Sequence, residues 1–201
     1  MSIRAVFFDF GGVIQRTEFQ APRQHLAERF RMEYDDIDKL VFASESARRA
    51  SVGEIREEEH WANVLKRLKL SPAEKYAVEA EFFGGDVIDR ELANFIHSLR
   101  GKFHVGLISN AWSGMRPFLE REKLIELFDS VTISAEVRVM KPEAKIYSIA
   151  LGQAGVKAEE AVFVDDVQVN IDACQEIGMK GVLFKDPQKA MEELEKILKI
   201  K

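Results

Sequence analysis

The chain has 201 residues, 46% hydrophobic and 31% charged, with a formal net charge of −5. That is the make-up of a globular domain, long enough for a full core plus a small insertion, and it excludes a disordered or fibrous chain. The acidic balance excludes a general field for nucleic acid or an anionic membrane. The single cysteine, Cys174, excludes an internal disulfide and fits a reducing cytosol. No run is long and apolar enough to span a bilayer, and none reads as a signal sequence, so a cytoplasmic location is expected.

Ile3–Phe8 is a short apolar run that stops at Asp9-Phe10-Gly11-Gly12, the form of a buried strand. From about residue 15 to residue 85 no strong strand pattern follows. Four helical segments are expected there: Gln20–Arg31, Asp35–Ser46, Glu58–Leu68 and Pro72–Phe83, with apolar positions such as Leu26, Ile37, Val41, Trp61, Leu65 and Phe82. Gly84-Gly85-Asp86 reads as a return hinge. Strands and helices then alternate. Leu92, Phe95, Ile96 and Leu99 mark a helix, and His104–Ile108 a strand ending at Ser109-Asn110. Val131–Ile133 ends at Ser134, and a helix over Glu143–Ala154 lies between Pro142 and Gly155. Ala161–Val164 ends at Asp165-Asp166, and Gly181–Phe184 ends at Lys185-Asp186. A last helix after Pro187 buries Met191, Leu194 and Leu198. The alternation predicts an α/β fold, a doubly wound parallel sheet with helices on both faces. Its core would be residues 1–14 and 86–201, with residues 15–85 as a small inserted α-helical cap domain.

Polar residues fall at the ends of these strands. In an open parallel sheet, ligands bind outside the carboxyl ends of the strands. Asp9, Ser109 with Asn110, and Asp165 with Asp166 would meet there, and Lys141 follows the third strand of the core. The three carboxylates would repel one another unless a hard divalent cation stood between them, and Mg²⁺ takes carboxylates together with a substrate phosphate. Lys141, the Ser109 hydroxyl and nearby backbone N–H groups would hold phosphate oxygens, which is most of what phosphoryl transfer requires. Taken singly, each signal has a plainer reading. Asp165-Asp166 could be a helix N-cap, Lys141 a solvated lysine, and Ser109-Asn110 a turn. Asp9-Phe10-Gly11 matches the kinase magnesium motif, but nothing upstream of residue 9 could supply the other kinase elements. His25, His60, His97 and His104 show no ligand spacing, and Cys174 reads as a buried core thiol.

At these residues the sequence resembles the haloacid dehalogenase superfamily. Asp9-Phe10-Gly11-Gly12-Val13, Leu107-Ile108-Ser109-Asn110, Lys141-Pro142 and Phe163-Val164-Asp165-Asp166 stand in the order and spacing of its four motifs. The helical insertion also stands at the family's cap position. The resemblance implies that Asp9 is a nucleophile forming an aspartyl-phosphate, with Ser109, Asn110 and Lys141 around the phosphoryl group. It further implies that Asp9, the Gly11 carbonyl and Asp166 ligate Mg²⁺, with Asp165 supporting them. The expected partner is a small phosphorylated metabolite, with the chain a monomer or homodimer.

Gly11 departs from the pattern. Phosphatases of the family usually carry a second aspartate there, which protonates the leaving alkoxide and later activates water. General acid–base help of this kind is worth roughly 10²–10⁴-fold. A phosphatase slow on simple alkyl esters is therefore expected, either preferring a better leaving group or borrowing a proton donor from the cap. Two alternatives stay open: a 2-haloacid dehalogenase, which would not need the Asp165-Asp166 pair, and a catalytically weak phosphate-binding or regulatory protein, which Gly11 would suit.

Overall fold

The computed structural model describes residues 2–200, so residues 1 and 201 of the expected core lie outside the described residues. The chain opens with strand β1 (Ala5–Phe8) and β2 (Gln15–Thr17). Helices α1 (Ala21–Arg29), α2 (Tyr34–Phe42), α3 (Glu45–Ser51), α4 (Glu57–Arg67) and α5 (Lys75–Phe82) follow. After β3 (Asp86–Ile88) come α6 (Arg90–Leu99), β4 (His104–Ser109), α7 (Met115–Arg121), β5 (Ser130–Ile133) and the single turn α8 (Ser134–Val137). The chain closes with α9 (Ala144–Ala154), β6 (Ala161–Asp165), α10 (Gln168–Glu176), β7 (Lys180–Leu183) and α11 (Pro187–Leu198).

Among the described residues the main sheet has the order β5-β4-β1-β6-β7, with every pair parallel. β1 is central, and all four of its residues are buried. Because side chains alternate across a strand, Val6 and Phe8 face one layer and Ala5 and Phe7 the other. The first layer packs with α6 and α11 through Leu92, Ile96, Leu194 and Leu198. The second packs with α9 and α10 through Ile146, Tyr147, Ile171 and Cys174. This is the doubly wound α/β arrangement that the alternating pattern predicted.

Helices α1–α5 share a separate apolar cluster built on Leu26, Ile37, Val41, Trp61, Leu65 and Phe82. The chain enters and leaves this segment through an antiparallel ribbon in which Gln15 pairs with Ile88 and Thr17 with Asp86. Buried Arg23 ties α1 to β3, reaching Asp86 at 3.2 Å and Asp38 at 2.6 Å while lying 4.1 Å from the Phe82 ring centre. Three expectations need correction. The stretch 15–85 opens with a strand, β2, whose three half-buried polar residues are too few to show a period of two. The single helix expected over Asp35–Ser46 is two: α2 stops at Phe42, and the Ser44 hydroxyl accepts from Ala47 N at 3.3 Å to start α3. Met191, expected in the buried stripe of the last helix, is only partly covered.

His60 lies fully buried in the helical segment, with Nδ1 2.9 Å from Ser46 Oγ and Nε2 without a hydrogen-bond partner among the described residues. Burial pulls its pKa down to about 4 from 6.5. The unfolded chain therefore binds a proton that the folded chain refuses, and stability is lost as pH falls from the unfolded value toward the folded one. Between about pH 7.5 and about pH 4.5, wild type should lose roughly 2–3 kcal/mol more than His60→Phe. Urea unfolding of both proteins at the two pH values checks this, and equal losses would refute it.

Candidate functional site

The site stands on the central strands. β1 pairs Phe8 with Leu107 of β4 on one side and with Val164 of β6 on the other. The next residue of each strand therefore emerges at one carboxyl edge, and these residues include Asp9 and Asp165. Asp9 is anchored through its backbone N–H to Val164 O at 2.9 Å, and Phe10 N donates to Asp9 Oδ1 at 2.7 Å. The Phe10 carbonyl accepts from Ile14 and Gln15, so the chain turns tightly after the aspartate.

Carboxylate oxygens of Asp9, Asp165 and Asp166 all lie within 4.8 Å of one another. The Lys141 ammonium sits between two of them, 2.8 Å from Asp9 Oδ1 and 2.7 Å from Asp165 Oδ2, and it is almost wholly buried. Asp165 is the most fully paired. Besides Lys141, it accepts from Val167 N at 2.7 Å and from Asn170 Nδ2 at 3.1 and 3.0 Å. Asn170 is held in turn by Tyr147, whose hydroxyl donates to its carbonyl at 2.9 Å. Asp166 is only half-buried and carries no comparable set of donors among the described residues.

Asn110 clamps the lysine by its backbone at both ends. Its Nδ2 donates to Lys141 O at 2.9 Å, and Lys141 N donates to its Oδ1 at 2.8 Å. Ser109 is buried at the last position of β4, paired with Ile133 of β5. Gly11 lies exposed in the turn after Asp9, and a Cβ there would meet nothing within 4 Å. Gly12 is different. It has φ +78°, and a Cβ would strike the Asp166 carboxylate, so glycine is needed for the acidic group to close on the loop.

The electrostatics are unbalanced. Three carboxylates face one buried ammonium, with Lys185 acting on Asp166 from outside. Burial lifts the Asp9 carboxyl to about 6 against the pull of Lys141, and burial together with Asp165 raises Asp166. A compact set of hard oxygen donors with excess negative charge fits a small divalent cation.

The structure thus brings Asp9, Asn110, Lys141, Asp165 and Asp166 into one connected cluster, with Ser109 and Gly11 at the same edge. Sequence reasoning assigned no task to Asn170, Val167 N–H or Tyr147. A polar residue five positions after an aspartate at a strand–helix turn was the available signal for Asn170. The N-cap reading of the acidic pair is also resolved: the residue preceding α10 is Val167, which has no side-chain cap, while Asp165 takes its N–H. The contact between helical segment and core was not legible either. Glu57 of α4 accepts from Gly114 N at 2.8 Å and donates its own N–H to Ser113 Oγ at 3.2 Å, so α4 is fastened to the loop after β4.

No described helix is long and apolar enough to cross a membrane. A family model described as haloacid dehalogenase-like hydrolase matches residues 3–178. Bifunctional epoxide hydrolase 2 of Rattus norvegicus is 26% identical over 98% of this chain, which spans only 39% of that protein's length. The D-ribitol-5-phosphate phosphatase of Bacteroides thetaiotaomicron is 26% identical over 89% of this chain and 90% of its own. A solved enzyme of the same family from Bacteroides thetaiotaomicron, in complex with magnesium and inorganic phosphate, superposes with a TM-score of 0.75 at 20% identity. That superposition covers 90% of this chain and 94% of that one.

Proposed function

The chain belongs to the haloacid dehalogenase-like hydrolases, and from that premise we propose that it is a Mg²⁺-dependent phosphatase acting through an aspartyl-phosphate on Asp9. The observation that carries the reading is the single cluster of Asp9, Asp165, Asp166 and Lys141, drawn from three distant parts of the chain. Phosphatase relatives, and a structural neighbour holding magnesium and phosphate, agree with it. Asp166 and Asp9, with the Gly11 carbonyl, would hold the cation, because Asp165 already spends its oxygens on Lys141, Asn170 and Val167. When bound, Mg²⁺ would offset charge between the carboxylates and the phosphate dianion.

The chain's own residues supply the rest. An Asp9 oxygen attacks phosphorus, and the ester oxygen leaves with the bonding pair. Lys141 orients Asp9 and offers positive charge to the transferring group, and Asn110 fixes the lysine's backbone. Ser109 supplies a hydroxyl to a phosphate oxygen. Water then cleaves the aspartyl-phosphate, and no carboxylate at position 11 assists either half-reaction. Residues 15–85 serve as the cap, with 1–14 and 86–201 as the core. A dehalogenase attacking carbon would have no use for an acidic trio balanced by one lysine.

A panel of phosphate esters assayed with Mg²⁺ and with excess chelator tests the proposal. Turnover that needs the metal is expected, and chloride release from a 2-haloacid in chelator would overturn it. Gly11→Asp should fold, because position 11 has a negative φ and open space for a Cβ. It should raise kcat/KM on alkyl phosphates by about 10²-fold, the low end of general acid–base contributions. No gain would mean that the proton donor resides elsewhere.

A further inference from the structure

A cluster of aromatic rings that the reaction does not use is rooted in the loop that follows β4. Trp112 lies three residues after Ser109, in the loop that fastens α4 to the core, and is half-buried. Phe42, at the end of α2 and 47% exposed, stacks on it with ring centres 5.9 Å apart and planes 29° apart. Phe83 meets Phe42 edge-on at 6.0 Å. Behind them, the His60 ring lies 4.5 Å from Trp112 and is tied to Ser46, which fixes the wall.

The placement of this wall follows from its two roots. Trp112 lies in the loop after β4, three residues beyond Ser109. Phe83 leads through Gly84-Gly85 into β3, whose Ile88 pairs with Gln15, and Gln15 bridges to Gly11. The rings are therefore rooted in the loop after Ser109 and in the segment that returns to the core beside the chain leaving Asp9. Of these rings Phe42 is the exposed one, with the Arg23 guanidinium 5.6 Å from its centre, and an exposed ring held by its neighbours is suited to stack a flat one.

The second observation is chemical and independent of the rings. With Gly11 in place of an acid, no side chain at position 11 protonates the departing oxygen. A phenolate, whose conjugate acid has a pKa of about 10, leaves far more readily than an alkoxide. From these two features we infer that the substrate is an aryl phosphate whose ring stacks on the Phe42–Trp112 wall. The inference rests on the phosphatase reading: Asp9 forms the new bond to phosphorus, and the aryl C–O–P ester breaks at the P–O bond, so the phenolate carries the electron pair away and takes its proton from solvent.

Three esters separate the contributions. Phenyl phosphate has the ring and a phenolate leaving group, acetyl phosphate has a still better carboxylate leaving group without the ring, and benzyl phosphate has the ring on an alkoxide. Wild type should show a higher kcat/KM on phenyl phosphate than on benzyl phosphate. In Phe42→Ala and in Trp112→Leu the phenyl-to-acetyl ratio of kcat/KM should fall about tenfold, as expected from losing one stacking partner, while Trp112→Phe retains most of it. If Trp112→Leu does not fold, the exposed Phe42 decides. Equal falls on both substrates would reduce the wall to a structural role, and a preference for benzyl over phenyl phosphate would overturn the substrate class. Both outcomes leave the phosphatase reading intact. Failure to hydrolyse any of the three would end that reading, and this inference with it.

Discussion

Asp9→Asn should lose about 10³-fold or more of the Mg²⁺-dependent turnover of any phosphate ester the wild type accepts. The amide keeps the size of the carboxylate and an oxygen for Phe10 N–H, now 2.7 Å from Asp9 Oδ1. It cannot act as the anionic nucleophile. Stability should move the other way or stay level. Burial already disfavours the charge at this position, raising the carboxyl to about 6, and Lys141 retains Asp165 at 2.7 Å. Steady-state assays and thermal unfolding on the same preparation check both halves. An inactive variant that is also unfolded would not count in favour, whereas a folded variant at the wild-type rate would exclude Asp9 as nucleophile.

Lys141→Met should be the most damaging change for the fold itself. Its ammonium is the cation held between Asp9 and Asp165, at 2.8 and 2.7 Å, in a setting that excludes water almost entirely. Removing it leaves buried carboxylates facing each other, and breaking a buried pair in this way costs about 3–5 kcal/mol. Methionine fills the aliphatic volume, so the loss reports charge rather than packing. Urea unfolding in chelator should show the full deficit. Added Mg²⁺ should recover part of it, because a ligand that binds only the folded state stabilises it by mass action. Activity should fall by about 10²–10³-fold even with metal, as when one group stabilising transferred charge is deleted. A variant as stable as wild type in chelator would show that the lysine does not balance the acidic cluster.

The sheet was legible because its three central strands are buried on both sides. Runs such as Ala161–Val164 and His104–Ile108 are continuously apolar and stop at polar residues, which is both the strand signal and the site signal. The four polar clusters were therefore found together with the fold. The two-stranded ribbon was not found, because Gln15–Thr17 offers three half-buried residues held by pairing rather than by an apolar face. The break between α2 and α3 depended on one serine hydroxyl turning back to Ala47, a contact that competes silently with the helical pattern around it. Within the site, Asp9, Asp165 and Lys141 could be named from the strand ends, while the priority of Asp166 over Asp165 came from the family resemblance and not from the residues themselves. That ordering depends on Asn170 and Val167 N–H saturating Asp165 while leaving Asp166 half-open. The aromatic wall was invisible for a related reason: Phe42 and Trp112 lie far apart in sequence, and whether a ring on a helix end is covered or open is decided by what docks against it.

The most direct measurement is rapid acid quenching of wild type during turnover of phenyl phosphate with Mg²⁺, followed by digestion and mass spectrometry of the peptide that contains Asp9. A good leaving group favours formation of the aspartyl-phosphate, and Gly11 offers no base to speed its breakdown, so the phosphorylated Asp9 peptide should accumulate and should be absent from Asp9→Asn. Phosphate found on any other residue, or sustained turnover with none on Asp9, would contradict the account.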